Sequence, residues 1–379
     1  MVAGVTAGTE KVGATEAARA PHVKRGVLLT PRERVRRALL RQAPDRVPIH
    51  DHPWASTVTR WQAEGLPTGV VLADYFGFEI GSLAADCTPR LPVQVVSEDE
   101  EHVVIRDQYG SLTRDYRDGG TTPEMIEPSV RTRDDWERLK PRLQPDDSRV
   151  DWDSVRTQYV RERAAGRFVV FTNGVGFNRL MRYMRTDDIL LAIAAEPEWI
   201  CDMYDTIARL VMAMCDRMLA AGIAFDGAWL SCDLGYRNAL FFSPRHYRAQ
   251  HHPMMCRLGA FFAERGLPWI LHSCGRVYEL LPELIESGVT CLQPLEVKAG
   301  MDVVALKRQY GDRVAFMGGI DVRAMTADDP RVLEEEVATK VSAAKVGGGY
   351  LYHSDHSIPK NVSLAQFQRV LDLVRRYGD

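Results

Sequence analysis

At 379 residues, 45% hydrophobic and 26% charged, the chain has the make-up of a soluble globular protein with a large core, either one barrel-sized domain or two ordinary ones. A net charge of -3 and a pI near 6.4, with both signs mixed along the chain, leave no basic footprint for nucleic acid. No stretch approaches the roughly 18–20 consecutive apolar residues that cross a bilayer, and the N-terminus has no apolar signal core, so a cytoplasmic location is expected.

Residues 1–28, rich in Ala, Gly, Thr and Val without an apolar period, read as a disordered N-terminal arm ahead of a folded domain over 29–379. Thr30-Pro31-Arg-Glu33 predicts a helix start, with Thr30 as N-cap and Val35, Leu39 and Leu40 on one face. Pro44-Asp45-Arg46 then turns the chain into a short strand at Val47. Over residues 90–118 the apolar positions alternate, around the acidic turn Glu98-Asp-Glu-Glu101, which predicts an inserted antiparallel β-hairpin or small sheet.

Past residue 150 strands alternate with helices. The strand candidates are Phe168–Phe171, Gly227–Leu230, Trp269–Leu271, Cys291–Pro294, Val314–Met317 and Tyr350–Tyr352, separated by helically periodic stretches such as 197–220 and 244–265. Strand, helix, strand repeated this often predicts an α/β fold with a parallel sheet, and with Val47 the count comes close to that of a (β/α)8 TIM barrel. No Gly-x-Gly-x-x-Gly lies between an early strand and helix, and no Gly-x-x-x-x-Gly-Lys-Ser/Thr loop is present, so a dinucleotide fold has no support. The seven cysteines, an odd number scattered through the chain, fit reduced thiols better than a disulfide framework.

Active sites of such barrels collect at the C-terminal strand ends. The most pointed of these is Trp269-Ile-Leu-His272-Ser-Cys274-Gly275. Spacing i, i+2 sets the imidazole and the thiol on one face of an extended chain, and Gly275 lets the backbone turn away, so one metal ion can be held by both. A catalytic zinc site needs three or four N, S or carboxylate ligands with one position open. His356 is the expected third, Glu296 the fourth or an outer contact, and His353 a substitute for either. The competing reading makes Cys274 a small core residue and has the histidines bond core carbonyls. Asp233, after Trp229-Leu-Ser-Cys232, faces the expected mouth as a catalytic acid, against the alternative of a loop acid paired with Arg237. Asn173, Asp226, Gln293, Asp321 and His353 are the substrate-binding candidates, although Asp226, at the start of its strand, also suits a turn cap. Gly318-Gly319 suits either a bound anion or tight packing, and Arg179, Arg182 and Arg185 read as a solvated helix face.

Asp226-Gly-Ala-Trp-Leu-Ser-Cys-Asp233, Phe242-Ser-Pro, His272-Ser-Cys-Gly275, Gly318-Gly-Ile-Asp321 and His356-Ser-Ile-Pro359 resemble the uroporphyrinogen decarboxylase superfamily, across roughly residues 30 to 376. Within it the chain is most similar to the corrinoid-linked methyltransferase and demethylase branch. The resemblance implies a TIM barrel and methyl transfer between a small methylated substrate and a cobalamin or thiol acceptor. The cobalamin is carried on a corrinoid partner protein, and some members use a zinc site made of His-x-Cys and a later Cys. Here His272 and Cys274 match, but His356 stands at the later position, which lowers the negative charge of the set. The Met-Arg-Gln-Ala-Gly-Arg segment with which true decarboxylases hold their substrate's carboxylates is replaced by His50-Asp-His-Pro-Trp54. The resemblance, with the apolar helix faces, also allows a homodimer. Two other functions compete: a metal-free decarboxylase or lyase using Asp233 and His356 as proton donor, and a non-catalytic corrinoid- or tetrapyrrole-binding protein.

Overall fold

The computed structural model describes Met1, residues 28–119 and residues 122–379. Apart from its two end residues, the expected N-terminal arm lies outside the described residues.

Seven parallel strands form the central sheet, numbered here along it: β1 (Ile80–Ala84), β2 (Phe168–Gly174), β3 (Gly227–Ser231), β4 (Trp269–His272), β5 (Cys291–Gln293), β6 (Ala315–Met317) and β7 (Tyr350–Leu351). Each pairs with its neighbour in sequence order, Ile80 opposite Phe168 and His272 opposite Gln293, for example. Both edges of the sheet bond to the segment around Ile49. Tyr352 N–H donates to Pro48 O at 2.9 Å on the β7 side, and Glu79 N–H donates to Ile49 O at 2.9 Å on the β1 side. The sheet therefore curls into a TIM-barrel-like arrangement, with helices such as Pro197–Ala220 and Pro330–Ala344 as the crossovers.

The expected strands from residue 168 onward are present. β1 was not expected, because Gly81, Ser82 and Ala84 dilute its apolar pattern. Gly81 is required there, since a Cβ would lie 2.8 Å from the buried Glu162 side chain.

Alternation along the strands builds the lower lumen. Ile80, Phe168, Val170, Ile270, Cys291, Ala315, Met317 and Leu351 form one cluster with Val35, Ala38 and Leu39. Helix Pro31–Leu39 thus packs its apolar stripe into the N-terminal end of the barrel, started by the Thr30 hydroxyl, which accepts Glu33 N–H at 3.2 Å. Burial of each such Val or Leu side chain contributes about 1.5–3 kcal/mol.

The insertion is larger than a hairpin. Strands Gln94–Glu98, His102–Arg106, Leu112–Tyr116 and Glu124–Glu127 form an antiparallel sheet in that order. Its last strand follows the glycines that end the sequence alternation, which is why the expected boundary fell short. The arginine triplet is not a solvated face but the clasp of this sheet. Arg179 bonds the Tyr109 hydroxyl, Arg182 pairs with buried Asp107 at 3.0 Å, and Arg185 donates to Ile126 O at 2.8 Å. All seven cysteines are free. Among the described residues no helix is long and apolar enough to cross a membrane.

Candidate functional site

One step of alternation above the lumen cluster, the inward positions turn polar: Ser82 on β1, Thr172 on β2, Ser231 on β3, His272 on β4 and Gln293 on β5. All line a cavity of about 480 Å³ at the C-terminal strand ends. His50, His52 and Trp54 enter it from the segment after Ile49, and His353 and His356 from the loop after β7. Among the described lining residues there is no arginine or lysine.

Cys274 is common to two groups of donor side chains. Asp233, His272 and Cys274 each offer a ligand atom within 4.8 Å of the other two, and so do Cys274, Glu296 and His356. The structure therefore brings the four expected metal residues to one place as two triads that share the thiol. Cys274 Sγ lies 3.4 Å from His272 Nε2. Tetrahedral zinc with N and S bonds of about 2.0–2.1 and 2.3 Å would set those two atoms roughly 3.5 Å apart, so the pair is already at ligand spacing.

The orientation of His272 has a traceable cause. Its Nδ1 meets Gln293 Oε1 at 2.6 Å, and an amide oxygen only accepts, so Nδ1 is the donor here and in the neutral ring Nε2 holds the lone pair. That lone pair faces Cys274 and also Asp233 Oδ1, 3.5 Å away. Behind Gln293 the chain of contacts continues. Its Nε2 is 3.4 Å from His353 Nε2, whose Nδ1 donates to Ser354 O at 2.7 Å and faces buried Asp51 at 3.6 Å. Gln293 and His353 were expected to bind substrate. They line the cavity, but their polar atoms are occupied in orienting His272, as a hydrogen-bonded outer layer does for a metal-binding imidazole. Burial lowers the pKa of His353 despite the Asp51 carboxylate beside it.

Asp233 does not pair with Arg237. Its Oδ2 accepts from Asn178 Nδ2 at 2.5 Å and its Oδ1 from Cys274 N–H at 2.9 Å. Burial pushes the Cys274 thiol well above its ordinary range, and the Asp233 and Glu296 carboxylates push it further. Lys298, 3.6 Å from Glu296, is the nearby cation. A thiol, imidazoles and two carboxylates gathered with one ion pair among them, Glu296 to Lys298, form a donor set that fits a divalent metal, above all zinc.

Three sequence expectations are corrected. Asp226 lies at the opposite end of β3, where Arg32 at 2.7 Å, Arg163 and the N–H of Val169 at 2.9 Å consume its oxygens. Asn173 has the wrong parity on β2. Thr172 points into the cavity, while Asn173 donates to Ala85 O at 2.9 Å and accepts from Arg179 at 2.5 Å. Asp321 lies outside this cavity, gripping Arg323 at 2.7 Å. Gly318-Gly319 proves to be packing, because a Cβ on Gly318 would lie 1.9 Å from Pro294 O.

His50, Trp54, Trp229 and Thr172 line the site and were missed as site residues. His50-Asp-His-Pro-Trp54 directly after a strand was the available signal. His50 Nδ1 is buried without a partner among the described residues, and burial, with His353 nearby, pushes its pKa well below the usual histidine range.

A methyltransferase from Methanosarcina mazei shares the fold, with a TM-score of 0.61 at 13% identity over 92% of this chain and 98% of that one. No curated protein matches the sequence. The uroporphyrinogen decarboxylase (URO-D) family model matches residues 103–377, which include β2 to β7 and the segments that carry Asp233, His272, Cys274, Glu296 and His356. On that match the chain belongs to the uroporphyrinogen decarboxylase family.

Proposed function

We propose that this protein is a methyltransferase or demethylase moving a methyl group between a small methylated substrate in the cavity and a cobalamin (corrinoid) or thiol acceptor, with zinc held by His272, Cys274, Glu296 and His356. The observation that carries the reading is Cys274 shared between two triads of donors at the strand ends. Zinc, when bound, supplies a Lewis acid that lowers the pKa of a coordinated thiol or water.

The chain's own residues do the rest. Gln293 holds His272 in the tautomer that faces Cys274. Asp233, fixed by Asn178 and a backbone N–H, is placed to give or take a proton at a leaving group. Trp54 and Trp229 line the cavity with His50 and leave less room for water around the substrate. A corrinoid would reach the cavity mouth on a small partner protein. The fold shared with a methyltransferase supports this reading. The metal-free decarboxylase reading, with a polycarboxylate tetrapyrrole as substrate, is disfavoured by an inner cavity with no Arg or Lys among its described lining residues.

Elemental analysis of untagged protein tests the metal site. Near-stoichiometric zinc is expected in the wild type and its loss in both Cys274→Ala and His272→Ala. Methylcobalamin assays with thiol acceptors then test the transfer itself. Zinc retained in both variants, or none taken up on reconstitution, would sink the site and put the metal-free lyase first.

A further inference from the structure

A second cavity, of about 610 Å³, borders the first and shares Asp233 and Cys274 with it. Its character is different. Arg237, Lys298 and Arg323 line it, whereas the inner cavity has no Arg or Lys among its described residues. We propose that this outer cavity is a binding site for the oxyanion group, carboxylate or phosphate, of the second substrate of the transfer.

Three observations carry the proposal. Arg237, exposed, has no hydrogen-bond or ion-pair partner among the described residues, although it lies four residues after Asp233 and lines the same cavity. Its backbone is nonetheless fixed. It occupies the turn of the short hairpin Gly235–Tyr236 and Ala239–Leu240, which is locked to the Cys274 loop by Arg276 N–H donating to Tyr236 O at 2.9 Å. The same two loops touch at Gly275, φ +77°, where a Cβ would lie 2.3 Å from the Gly235 carbonyl carbon. The guanidinium is thus held on a backbone fastened to the loop of the central thiol.

Arg323 is steered as well, since both Asp321 oxygens hold it, at 3.0 and 2.7 Å. Lys298 adds a point charge beside Glu296. A guanidinium fork with a free face and an ammonium nearby suit a planar carboxylate or a phosphate. A transfer reaction needs two ligands meeting at one point, and the wall shared by the two cavities is that point.

The inference rests on the two-ligand reading above, but its first test needs neither metal nor turnover. Calorimetric titration of the metal-free full-length protein with inorganic phosphate at low ionic strength is expected to show saturable binding. Affinity should fall about tenfold or more in Arg237→Gln/Lys298→Gln, because charge-assisted hydrogen bonds are lost. Arg133→Gln, on a distant surface helix, should leave it unchanged. With zinc-loaded protein, 3-mercaptopropionate should bind more tightly than 1-propanethiol, and the double variant should erase the difference. Phosphate affinity equal in wild type and double variant, or no binding at all, overturns the proposal. If phosphate behaves as expected while the protein takes up no zinc, the anion site stands and the zinc reading alone falls.

Discussion

The two ends of the barrel both bury carboxylates and treat them in opposite ways. At the N-terminal end every such acid has its guanidinium. Glu79, its side chain 2% exposed, meets Arg34 at 2.6 Å and Arg46 at 2.7 Å and accepts Ile49 N–H at 3.1 Å. Asp226 has Arg32 and Arg163, and Glu162 lies between Arg161 at 2.6 Å and Arg167 at 2.9 Å. At the C-terminal end Asp233 and Glu296 have an amide, a backbone N–H and a lysine 3.6 Å away, and they crowd a thiol. A buried acid with its counter-ion in place is a joint of the structure. A cluster of donors with only one loose ion pair, Glu296 to Lys298, is where a cation from outside gains most.

The largest effect that comparison predicts is at Glu79. Glu79→Ala breaks its bonds to Arg34, Arg46 and the Ile49 N–H at once, leaving the 5% exposed Arg34 with Asp45 alone, and should cost about 3 kcal/mol in chemical denaturation. A loss below about 1 kcal/mol would break the claim that the lower acids are joints. Asp45 sharpens the same point through pH. Burial alone would raise its pKa, but the paired bonds from Arg34 at 2.7 and 2.9 Å and the Leu29 N–H outweigh burial and bring it down from 3.8 to about 2. With the folded value below the unfolded one, its contribution is present above pH 3.8 and lost as pH falls through about 2. Asp45→Asn should therefore lower stability by about 2 kcal/mol at neutral pH and by almost nothing at the acid end of that window, as read from paired denaturation curves.

At the other end, Gln293→Ala tests orientation rather than folding. It frees the His272 ring to turn, and zinc affinity measured by competition with a chelator should fall about 10–100-fold while the fold persists. An unchanged affinity would mean that His272 is held by something other than Gln293, or is no ligand.

How much of this was legible in the chain depends on where apolar pattern and polar chemistry coincide. Trp269-Ile-Leu-His272-Ser-Cys274 announces both a strand and two donor side chains at its end, because an apolar run ends abruptly in an imidazole and a thiol at strand spacing. β1 was hidden because Gly81 and Ser82 serve a tight contact with Glu162 and the cavity wall, and neither leaves an apolar signal. The sequence does not separate Asn173 from Thr172, because Phe168-Val-Val-Phe171 is apolar on both faces, as a strand buried on both sides must be, so its parity is not legible. Asp226 and Asp233 flank one strand and look alike in sequence. Only the direction of the strand separates the joint from the site, and the arginines that neutralise Asp226 come from residues 63 and 194 positions away.

The smallest predicted effect emerges only with the metal. Glu296→Gln removes one of two carboxylates that crowd Cys274, and the ion pair it gives up is with a lysine 41% exposed and 3.6 Å distant, a contact worth little. In the absence of zinc the variant should lie within about 1 kcal/mol of wild type, because the raised pKa keeps the thiol neutral and only a loose ion pair and a thiol hydrogen bond are given up. In the presence of zinc the gap should widen, since wild type gains the full binding free energy and the variant less of it. Urea midpoints of both proteins with and without zinc give all four values. A variant already destabilised by about 2 kcal/mol without metal would make Glu296 a joint like Glu79, and the contrast between the two ends would then rest on Asp233 alone.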